Sequence, residues 1–465
     1  MTPPGSLAPH ATSRVAARLA ARFHGDVHLP GDEGYEAGRQ SWHRTIDPRP
    51  ALVAEALSAD DVQAALLVAR EHDLPFAVQS TGHGTLVAAD GAVLVKTSRM
   101  AWVEVDPVRR TARVDPGARW SQVIDAAAAY GLAPLSGTSA VGVTGYTLGG
   151  GAGLLSRRYG LAADSVTRAE VVTADGDVVA AGPDEHPDLL WALRGGGPNF
   201  GVVTSLEFRL YPVTMLYGGI VLFAADRVAE TLRCYREWAL DEPDAMSTAI
   251  MLLRMPDLPQ VPEPVRGRRV LGLRALYDGD GDEAERLLAP LLAAAGEPLV
   301  DGLHTMTFPE TSAITGPPPP PMAARQEFSL HRTLPDAVID ALGEAGTDPS
   351  SLVDAVEVRH WGGAMARQDA DTGPAGHRDV PFSVMAATPL DTGHPAEAVH
   401  ASIDALAGRL RPWSTGGSFL NFLTDTTRTP TAFTADNHRL LREAKTAWDP
   451  ADVFRLGHHI PPAGS

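Results

Sequence analysis

Apolar and polar residues alternate in short blocks over residues 1–212, and the blocks predict strands separated by helices. Three apolar stretches bounded by polar segments are typical of buried strands: residues 51–56, 76–80 and 93–97. Between the first two stretches, Ser58 precedes Asp60 and Asp61, and apolar residues then recur at helical spacing. A serine cap followed by an acidic first turn predicts that a helix begins at this point.

Two further pairs of alternating segments are each separated by a short polar turn, and these pairs predict β-hairpins. The pairs are residues 102–106 with 111–115 and residues 169–173 with 177–180. The second turn contains Asp175 and Gly176, a dipeptide that favours the tight turns of hairpins. Hairpins interrupt the strand–helix rhythm of a doubly wound sheet, so we expect an α+β fold.

The pattern changes after Pro212, where longer predicted strands alternate with longer predicted helices. The clearest strands are residues 247–253 and 270–277, and the clearest helices are residues 282–295 and 335–344. Separate long strands with helices between them indicate an antiparallel sheet that carries its helices on one side. We therefore expect a second domain to begin near this proline.

The composition narrows the possible partners and locations. A chain of 465 residues is longer than an ordinary single domain with one hydrophobic core, so its length favours two domains. A formal net charge of −18 argues against nucleic acid and anionic membrane surfaces as partners, because Lys and Arg supply that affinity. Cys234 is the only cysteine, which excludes an intrachain disulfide and a zinc site built on cysteines. We expect a cytoplasmic monomer or homodimer without a membrane-spanning segment.

Two glycine-containing segments can bring backbone N–H groups close to a ligand, and they are residues 79–84 and 136–153. Neither fits the dinucleotide-binding fingerprint, because Leu154 stands where its last glycine is required. Residues 137–141 lack the final glycine of a hydrolase nucleophile elbow. The histidine pairs of the chain have no third ligand at suitable spacing, so we expect no metal site.

Four motifs together resemble a known family. They are Ser80-Thr81-Gly82-His83 and the segments 142–151, 159–164 and 196–204. In order and spacing they are similar to the covalent-flavin oxidases of the vanillyl-alcohol oxidase/p-cresol methylhydroxylase (PCMH) superfamily, within its berberine bridge enzyme-like (6-hydroxy-D-nicotine oxidase-like) branch. The C-terminal residues 448–462 look like the ending of that family.

The resemblance implies a two-domain architecture in which a PCMH-type FAD-binding fold is interrupted by a substrate domain. Residues 1–212 and 415–465 would form the FAD-binding domain. Residues 213–414 would form the inserted substrate-binding domain, with an antiparallel sheet and helices. The end of the chain would then return to the domain in which the chain begins.

The resemblance also implies FAD as the cofactor, attached by an 8α-histidyl bond to His83. Many relatives carry a second bond from a cysteine at the position of Thr138, and a threonine hydroxyl does not supply a thiolate. We therefore expect a single covalent bond. The residues that the resemblance assigns to the cofactor are Ser80, Thr81, Gly82, His83, Gly84, Gly137, Thr138, Ser139, Gly142, Gly145, Tyr146, Gly149, Gly150, Val202, Val203 and Asn421.

The catalytic residues are less well defined, because the Tyr-x-Asn motif of the family begins here with Phe419. The phenol that some relatives use as a base is therefore missing, and the remaining candidates are Tyr146, Glu357 and His360. Each has a structural alternative. Tyr146 would pack beside the glycines, Glu357 would form an ion pair with Arg359 on one face of a strand, and His360 would be a buried, hydrogen-bonded histidine on the other face.

Three functional hypotheses remain open. The first is an FAD-dependent oxidase in secondary metabolism, in which the flavin takes a hydride from a small-molecule alcohol, amine or activated C–H substrate and passes electrons to O₂. The second is a flavin-dependent oxidative cyclase or tailoring enzyme. The third is a flavin-binding protein without turnover, which anaerobic bleaching of the flavin by a substrate would exclude.

Overall fold

The computed structural model describes residues 9–316, 320–369, 372–391 and 393–464, and it confirms the α+β fold class. The first part of the chain contains seven α-helices and eleven strands among these residues. In chain order they are α1 (Pro9–Ala20), β1 (Asp26–His28), α2 (Glu33–Gly38), β2 (Leu52–Glu55), α3 (Ala59–Glu71), β3 (Phe76–Gln79), β4 (Val93–Lys96), β5 (Val103–Asp106), β6 (Thr111–Val114), α4 (Trp120–Ala128), β7 (Leu132–Ala133), α5 (Val143–Leu148), α6 (Ser156–Tyr159), β8 (Val166–Val172), β9 (Val178–Ala181), α7 (Pro187–Leu193), β10 (Val202–Arg209) and β11 (Tyr211–Pro212).

Two sheets organise this part of the molecule. In the first, with strand order β1-β2-β4-β3, β2 and β3 run parallel to β4, and β1 runs antiparallel to β2. The second, with order β5-β6-β10-β8-β9, is antiparallel and contains both predicted hairpins. The predicted helix start is also confirmed, because the Ser58 hydroxyl accepts a hydrogen bond from the Asp61 N–H at 3.3 Å.

The middle of the chain contributes longer elements, as its sequence pattern predicts. They are β12 (Leu216–Ala224), α8 (Val228–Trp238), β13 (Met246–Arg254), β14 (Arg269–Tyr277), α9 (Gly281–Ala295), β15 (Pro298–Asp301), β16 (His304–Met306), α10 (Ser312–Thr315), β17 (Ala324–His331), α11 (Asp336–Thr347), β18 (Ala355–His360), β19 (Phe382–Pro389) and α12 (Ala396–Leu410).

These strands form one antiparallel sheet with the order β15-β12-β14-β13-β18-β19-β17, and β16 lies beside β12. Inward residues such as Ile250, Leu252 and Val358 pack against helices α8, α9, α11 and α12, so the helices cover one face of the sheet. Residues at alternate positions face the opposite way, because successive side chains of a strand point to opposite faces. That second face is the one that lines the cavity described below.

The end of the chain, which contains helix α13 (Ala435–Trp448), packs against the first part. The Trp448 Nε1–H donates to the Asp188 carboxylate at 2.8 Å, and the Ile460 N–H donates to Asn199 Oδ1 at 2.9 Å. Lys445 also donates to the Asn199 carbonyl at 3.0 Å. The exact domain bounds given above stay a prediction. No helix among the described residues is long and apolar enough to cross a bilayer.

Candidate functional site

A cavity of about 1730 Å³ lies between the glycine-rich loops of the first part and the uncovered face of the large sheet. Its walls include the loop at residues 80–84, the run at residues 136–149 and the tail at residues 454–458. Strands β13, β14, β18 and β19 supply the opposite wall. The two parts of the chain that differ in sequence pattern therefore meet at one shared space.

The first loop begins where strand β3 ends, and it presents His83 to the cavity. Gly82 has a φ of 73°, and a Cβ at this position would lie 2.0 Å from Gln79 Nε2, so only glycine allows this turn. The His83 ring packs near Trp42, with 4.4 Å between ring centroids. Burial within the protein, and secondarily the charge of His43, lower the pKa of His83. The imidazole is therefore neutral at pH 7, and neither ring nitrogen is hydrogen-bonded to another described residue.

The second loop contains the short helix α5, and its backbone is fixed by a side chain from the end of the chain. Asn421 Oδ1 accepts a hydrogen bond from the Gly151 N–H at 2.9 Å, and its Nδ2 donates to the Tyr146 carbonyl at 3.0 Å. Gly149 packs so closely on this amide that a Cβ would lie 2.5 Å from Asn421 Nδ2. The glycines thus let the run lie directly on the amide that positions it.

The residues around the cavity fit the FAD that the resemblance implies. Gly84 and Gly145 both line the cavity, and a Cβ at either position would meet no protein atom within 4 Å. Ligand atoms can therefore approach the backbone at both places. Ser80 and Thr144 also line it, and their hydroxyls are buried without a hydrogen-bond partner. Buried hydroxyls without partners are rare and mark positions where a polar ligand completes the hydrogen bonding.

Fourteen of the sixteen predicted cofactor residues line this cavity, and two do not. Ser139 is directed toward α4, where its carbonyl accepts a hydrogen bond from the Ser121 N–H at 2.8 Å. Gly150 lies behind the run, and a Cβ there would lie 2.6 Å from the Phe419 ring. The cofactor contacts of Ser139 and Gly150 stay a prediction.

Phe419 itself packs outside the cavity, in an apolar cluster with Trp361 and Phe422 at ring centroid distances of 5.0 and 5.8 Å. Within this segment, Phe422 is the aromatic residue that lines the cavity. That no phenol acts from position 419 stays a prediction, and the geometry adds a second reason to the absence of a tyrosine there. Position 419 is turned away, and the residue that reaches the cavity is also a phenylalanine.

The three candidate catalytic residues all line the cavity, yet their surroundings differ. Burial raises the pKa of Tyr146, and its hydroxyl has no hydrogen-bond partner. Glu357 forms ion pairs with Arg359 at 2.7 Å and with Arg274 at 2.8 Å. Burial raises the pKa of Glu357, but the two guanidinium charges outweigh it and hold this pKa at about 2. A carboxylate that is so well paired is a poor proton acceptor at neutral pH.

His360 is the last residue of strand β18, and it is buried on the side opposite Glu357, as the alternation predicts, while still bordering the cavity at the end of the strand. Its Nδ1 lies 2.5 Å from Oε2 of Glu242, a carboxylate that is itself fully buried. Arg157 lies beside this pair and donates to the carbonyls of Met246 and Glu242. Nδ1 also lies 3.0 Å from Nη1 of Arg157, so this nitrogen contacts both a carboxylate, which favours a proton on Nδ1, and a guanidinium, which can only donate to it.

Sequence reasoning missed Arg274 and Glu242, which complete the surroundings of Glu357 and His360. A signal for Arg274 exists, because it is the one charged residue inside the apolar stretch 270–277. A charged residue that interrupts a buried strand is seldom tolerated unless it has a partner. Glu242 lies in a loop between predicted elements, and its pairing with His360 joins residues that are 118 positions apart.

Two segments of the chain match known families. Residues 50–182 match the family described as FAD binding domain, and residues 418–461 match the family described as berberine and berberine like. The first segment contains His83 and the glycine run. The second contains Asn421 and most of the C-terminal tail.

Individual relatives extend these matches. The (R)-6-hydroxynicotine oxidase of Paenarthrobacter nicotinovorans is 38% identical over 214 residues, which is 45% of this chain and 46% of that protein, so the match spans about half of that relative. The crystal structure of 6-hydroxy-D-nicotine oxidase from Arthrobacter nicotinovorans has a TM-score of 0.81 and 26% identity, covering 94% of this chain and 98% of that chain.

A second structure shows the same fold at lower identity. It is the glucooligosaccharide oxidase of Acremonium strictum, in which the FAD is described as 6-S-cysteinyl, 8α-N1-histidyl FAD. The TM-score is 0.84 at 22% identity, covering 97% of this chain and 100% of that chain. At this identity the likeness is evidence for the fold alone.

Proposed function

Because the chain belongs to the PCMH superfamily of flavoproteins, in its berberine bridge enzyme-like branch, we propose that it is an FAD-dependent oxidase of small molecules. The enzyme class is that of the relatives, which are FAD-linked oxidoreductases and oxidases. The substrate is an alcohol, an amine or a compound with an activated C–H bond, and secondary metabolism in the cytoplasm is the proposed setting. When bound, FAD supplies the acceptor for the hydride of the substrate.

The observation that carries this proposal is the shared cavity. The loops that fit FAD form one wall, and a sheet face with charged side chains forms the other. A substrate bound on the sheet face therefore lies in the same cavity as the cofactor.

For the cofactor, we propose a single covalent bond between a ring nitrogen of His83 and the 8α-carbon of the flavin. Three features support it: the ring projects into the cavity, its lowered pKa leaves a free lone pair, and no described residue occupies that lone pair. Thr138 lines the same cavity but carries only a hydroxyl. Cys234 lies on helix α8, on the covered side of the sheet, so it is not available as a second attachment point.

For the proton of the substrate, we propose His360 as the acceptor, positioned by Glu242. The Glu242 carboxylate favours the tautomer with the proton on Nδ1, and in that tautomer Nε2 takes the proton that the substrate loses as its hydride is transferred. The ion pairs of Glu357 disfavour it for this role, and the raised pKa of Tyr146 keeps its phenol protonated. Tyr146 then serves as a hydrogen-bond donor that orients the substrate or the cofactor.

An anaerobic substrate screen tests the proposed function. Purified protein is mixed without oxygen with panels of alcohols, amines and heterocycles, and the visible absorbance of the flavin is followed. We expect at least one class to bleach the flavin and readmitted air to restore the colour with release of hydrogen peroxide. A protein that no class bleaches would be a flavin-binding protein without turnover, and recovery only with an artificial acceptor would exclude an oxidase.

A further inference from the structure

Two arginines and one glutamate form a charged cluster in the middle of the cavity-facing side of the sheet. Arg274 on β14 and Arg359 on β18 are both paired in register with Ala249 on the strand between them. Residues in register across a sheet share a face, so the two guanidinium groups extend from either side of a small alanine. Glu357 lies two positions from Arg359 on the same face and accepts from both arginines.

The cluster carries an excess of positive charge. Arg274 contacts Glu357 Oε2 at 2.8 Å and Arg359 contacts Oε1 at 2.7 Å, so one carboxylate serves two cations. The side chains are 13% and 20% exposed for Arg274 and Arg359, and that exposure is to the cavity. An uncompensated charge in a largely buried place is unfavourable unless a ligand supplies the counter-charge.

Both arginines retain donors for such a ligand. A guanidinium has five N–H donors, and within the described chain the Arg274 side chain has Glu357 as its partner. Burial lowers the pKa of Arg274, Glu357 partly offsets this effect, and the nearby charge of Arg359 adds to it. The remaining donors and the lowered pKa both indicate that the positive charge of Arg274 is not fully neutralised within the protein.

Two of the other arginines of the cavity wall are already satisfied, and a third, Arg455, is exposed to solvent. Arg254 is paired with Asp354 at 2.9 Å, at the opposite end of β13. Arg157 directs its N–H groups to backbone carbonyls, including those of Met246 and Glu242. Among the largely buried charged groups of the described wall, the cluster of Arg274, Glu357 and Arg359 is therefore the one best suited to an added anion.

The cluster also lies close to the loop that fits the cofactor. Arg359 Nη1 donates to the Ala152 carbonyl at 3.4 Å, and its guanidinium lies 6.0 Å from the centre of the Phe422 ring. Its charge also acts on Tyr146 of the glycine run. An anion bound at this cluster would therefore fix the remainder of a ligand beside that run.

We infer that Arg274 and Arg359 bind a carboxylate of the substrate, so that the oxidase acts on small carboxylic acids rather than on neutral compounds alone. The inference rests on the proposed function, because it takes the bound carboxylic acid to be the substrate. The anion-binding site itself is argued from the geometry alone. Glu357 has the role of a resident counter-ion, which holds the two guanidinium groups in place and competes with the incoming carboxylate. The arginines determine specificity, and they take no part in the hydride transfer.

Calorimetric titration of the flavin-loaded protein tests the inference without turnover. The probes are benzoate and hexanoate, each with its neutral isostere, benzamide and hexanamide. We expect at least one carboxylate to bind about tenfold or more tighter than its amide, because hydrogen bonds to charged groups in a buried site are strong. Arg274→Gln and Arg359→Gln should each abolish that preference. Arg233→Gln, a partly exposed residue on helix α8 that pairs with Asp336, should preserve it.

Glu357→Gln should change the affinity for the carboxylate in the opposite direction. It therefore distinguishes loss of the anion site from loss of folding in the arginine variants. Removing the competing carboxylate should tighten carboxylate binding about tenfold, which no general loss of structure would produce. Equal affinity for acid and amide in the wild type, an unchanged preference in both arginine variants, or weaker binding in Glu357→Gln would each overturn the inference. Failure of every substrate to bleach the flavin would count against the proposed oxidase and leave this binding result in force.

Discussion

Asn421 holds the backbone of Gly151 with a 2.9 Å hydrogen bond across 270 positions of sequence. The same amide donates to the Tyr146 carbonyl, so one side chain spans the turns of the glycine run. The conformation of the cofactor loop thus depends on the last part of the chain. This dependence explains how a segment so far along the sequence belongs to the same site.

Asn421→Ala should therefore reduce flavin incorporation. The substitution leaves the Gly151 N–H and the Tyr146 carbonyl without partners, at a cost of about 1–3 kcal/mol in the free energy of unfolding. The flavin-to-protein absorbance ratio and the thermal midpoint measure the two effects. Asn437→Ala is the matched control, because that amide donates to the Pro374 carbonyl, which is not part of the cavity wall. Full flavin content in Asn421→Ala would show that the amide does not organise the loop.

The buried ion pair at the end of helix α13 should be a main determinant of stability. Lys445 donates to Asp449 at 2.7 Å and to the Phe454 carbonyl at 2.8 Å, and both charged side chains are fully buried. Lys445→Met leaves Asp449 buried without its cation, which should lower the free energy of unfolding by about 3–5 kcal/mol.

Arg439→Met on the same helix is the comparison, because its pair with Glu443 is exposed and such pairs contribute less than about 1 kcal/mol. Urea unfolding followed by tryptophan fluorescence measures both variants. Similar losses in the two variants would contradict the importance assigned to the buried pair.

Stability should fall at acid pH through His331. This side chain is fully buried on β17, and burial lowers its pKa to about 4, with a weaker opposing effect from the Trp413 backbone. The folded state therefore binds the proton less well than the unfolded state, so the contribution is fully present above pH 6.5 and is lost as the pH falls toward 4. The loss over that range is about 3 kcal/mol.

His331→Gln cannot take up a proton and should lose less stability than the wild type over the same pH range. Thermal midpoints of the two proteins are compared from neutral to acid pH. All other titratable groups are the same in both proteins, so a difference between the two profiles reports on His331. Parallel pH profiles for the two proteins would show that His331 titrates normally and that its burial has no such effect.

Catalysis should depend on His360 more than on Tyr146 or Glu357. His360→Gln removes the accepting nitrogen and should slow anaerobic flavin reduction by about 100-fold or more. Tyr146→Phe removes a hydroxyl without a partner in the free protein, so folding should be unaffected and reduction should slow less. Stopped-flow absorbance with a substrate from the screen measures both rates, and Glu357→Gln is measured in the same way. Unchanged reduction in all three single variants would eliminate His360, Tyr146 and Glu357 as the base.

The sequence predicts this fold well where local rules decide. The Ser58 cap and the Asp175-Gly176 hairpin are determined by neighbours within a few residues, and both are confirmed. The alternation on β18 also places Glu357 and His360 on opposite faces, as the structure shows. The family resemblance adds the FAD loops, because each of its motifs is contiguous in sequence.

Long-range packing decides what sequence reasoning could not predict. The pairing of Arg274 with Glu357 depends on the strand order β14-β13-β18, and periodicity does not reveal strand order. The orientation of Phe419 follows from packing against Trp361 and Gly150, residues that are distant in sequence. A sequence motif therefore does not by itself predict which of its side chains reach the cavity.

Acid precipitation with peptide mapping tests the central claim, that FAD is attached through His83 alone, most directly. Denaturation in acid releases flavin that is held by contacts and retains flavin that is held by a bond. We predict a yellow pellet, a digest in which the flavin mass lies on the peptide containing His83, and a His83→Ala protein that releases all its FAD into the supernatant. Free FAD in the supernatant of the wild type, or flavin on a peptide containing Cys234 or Thr138, would contradict the claim.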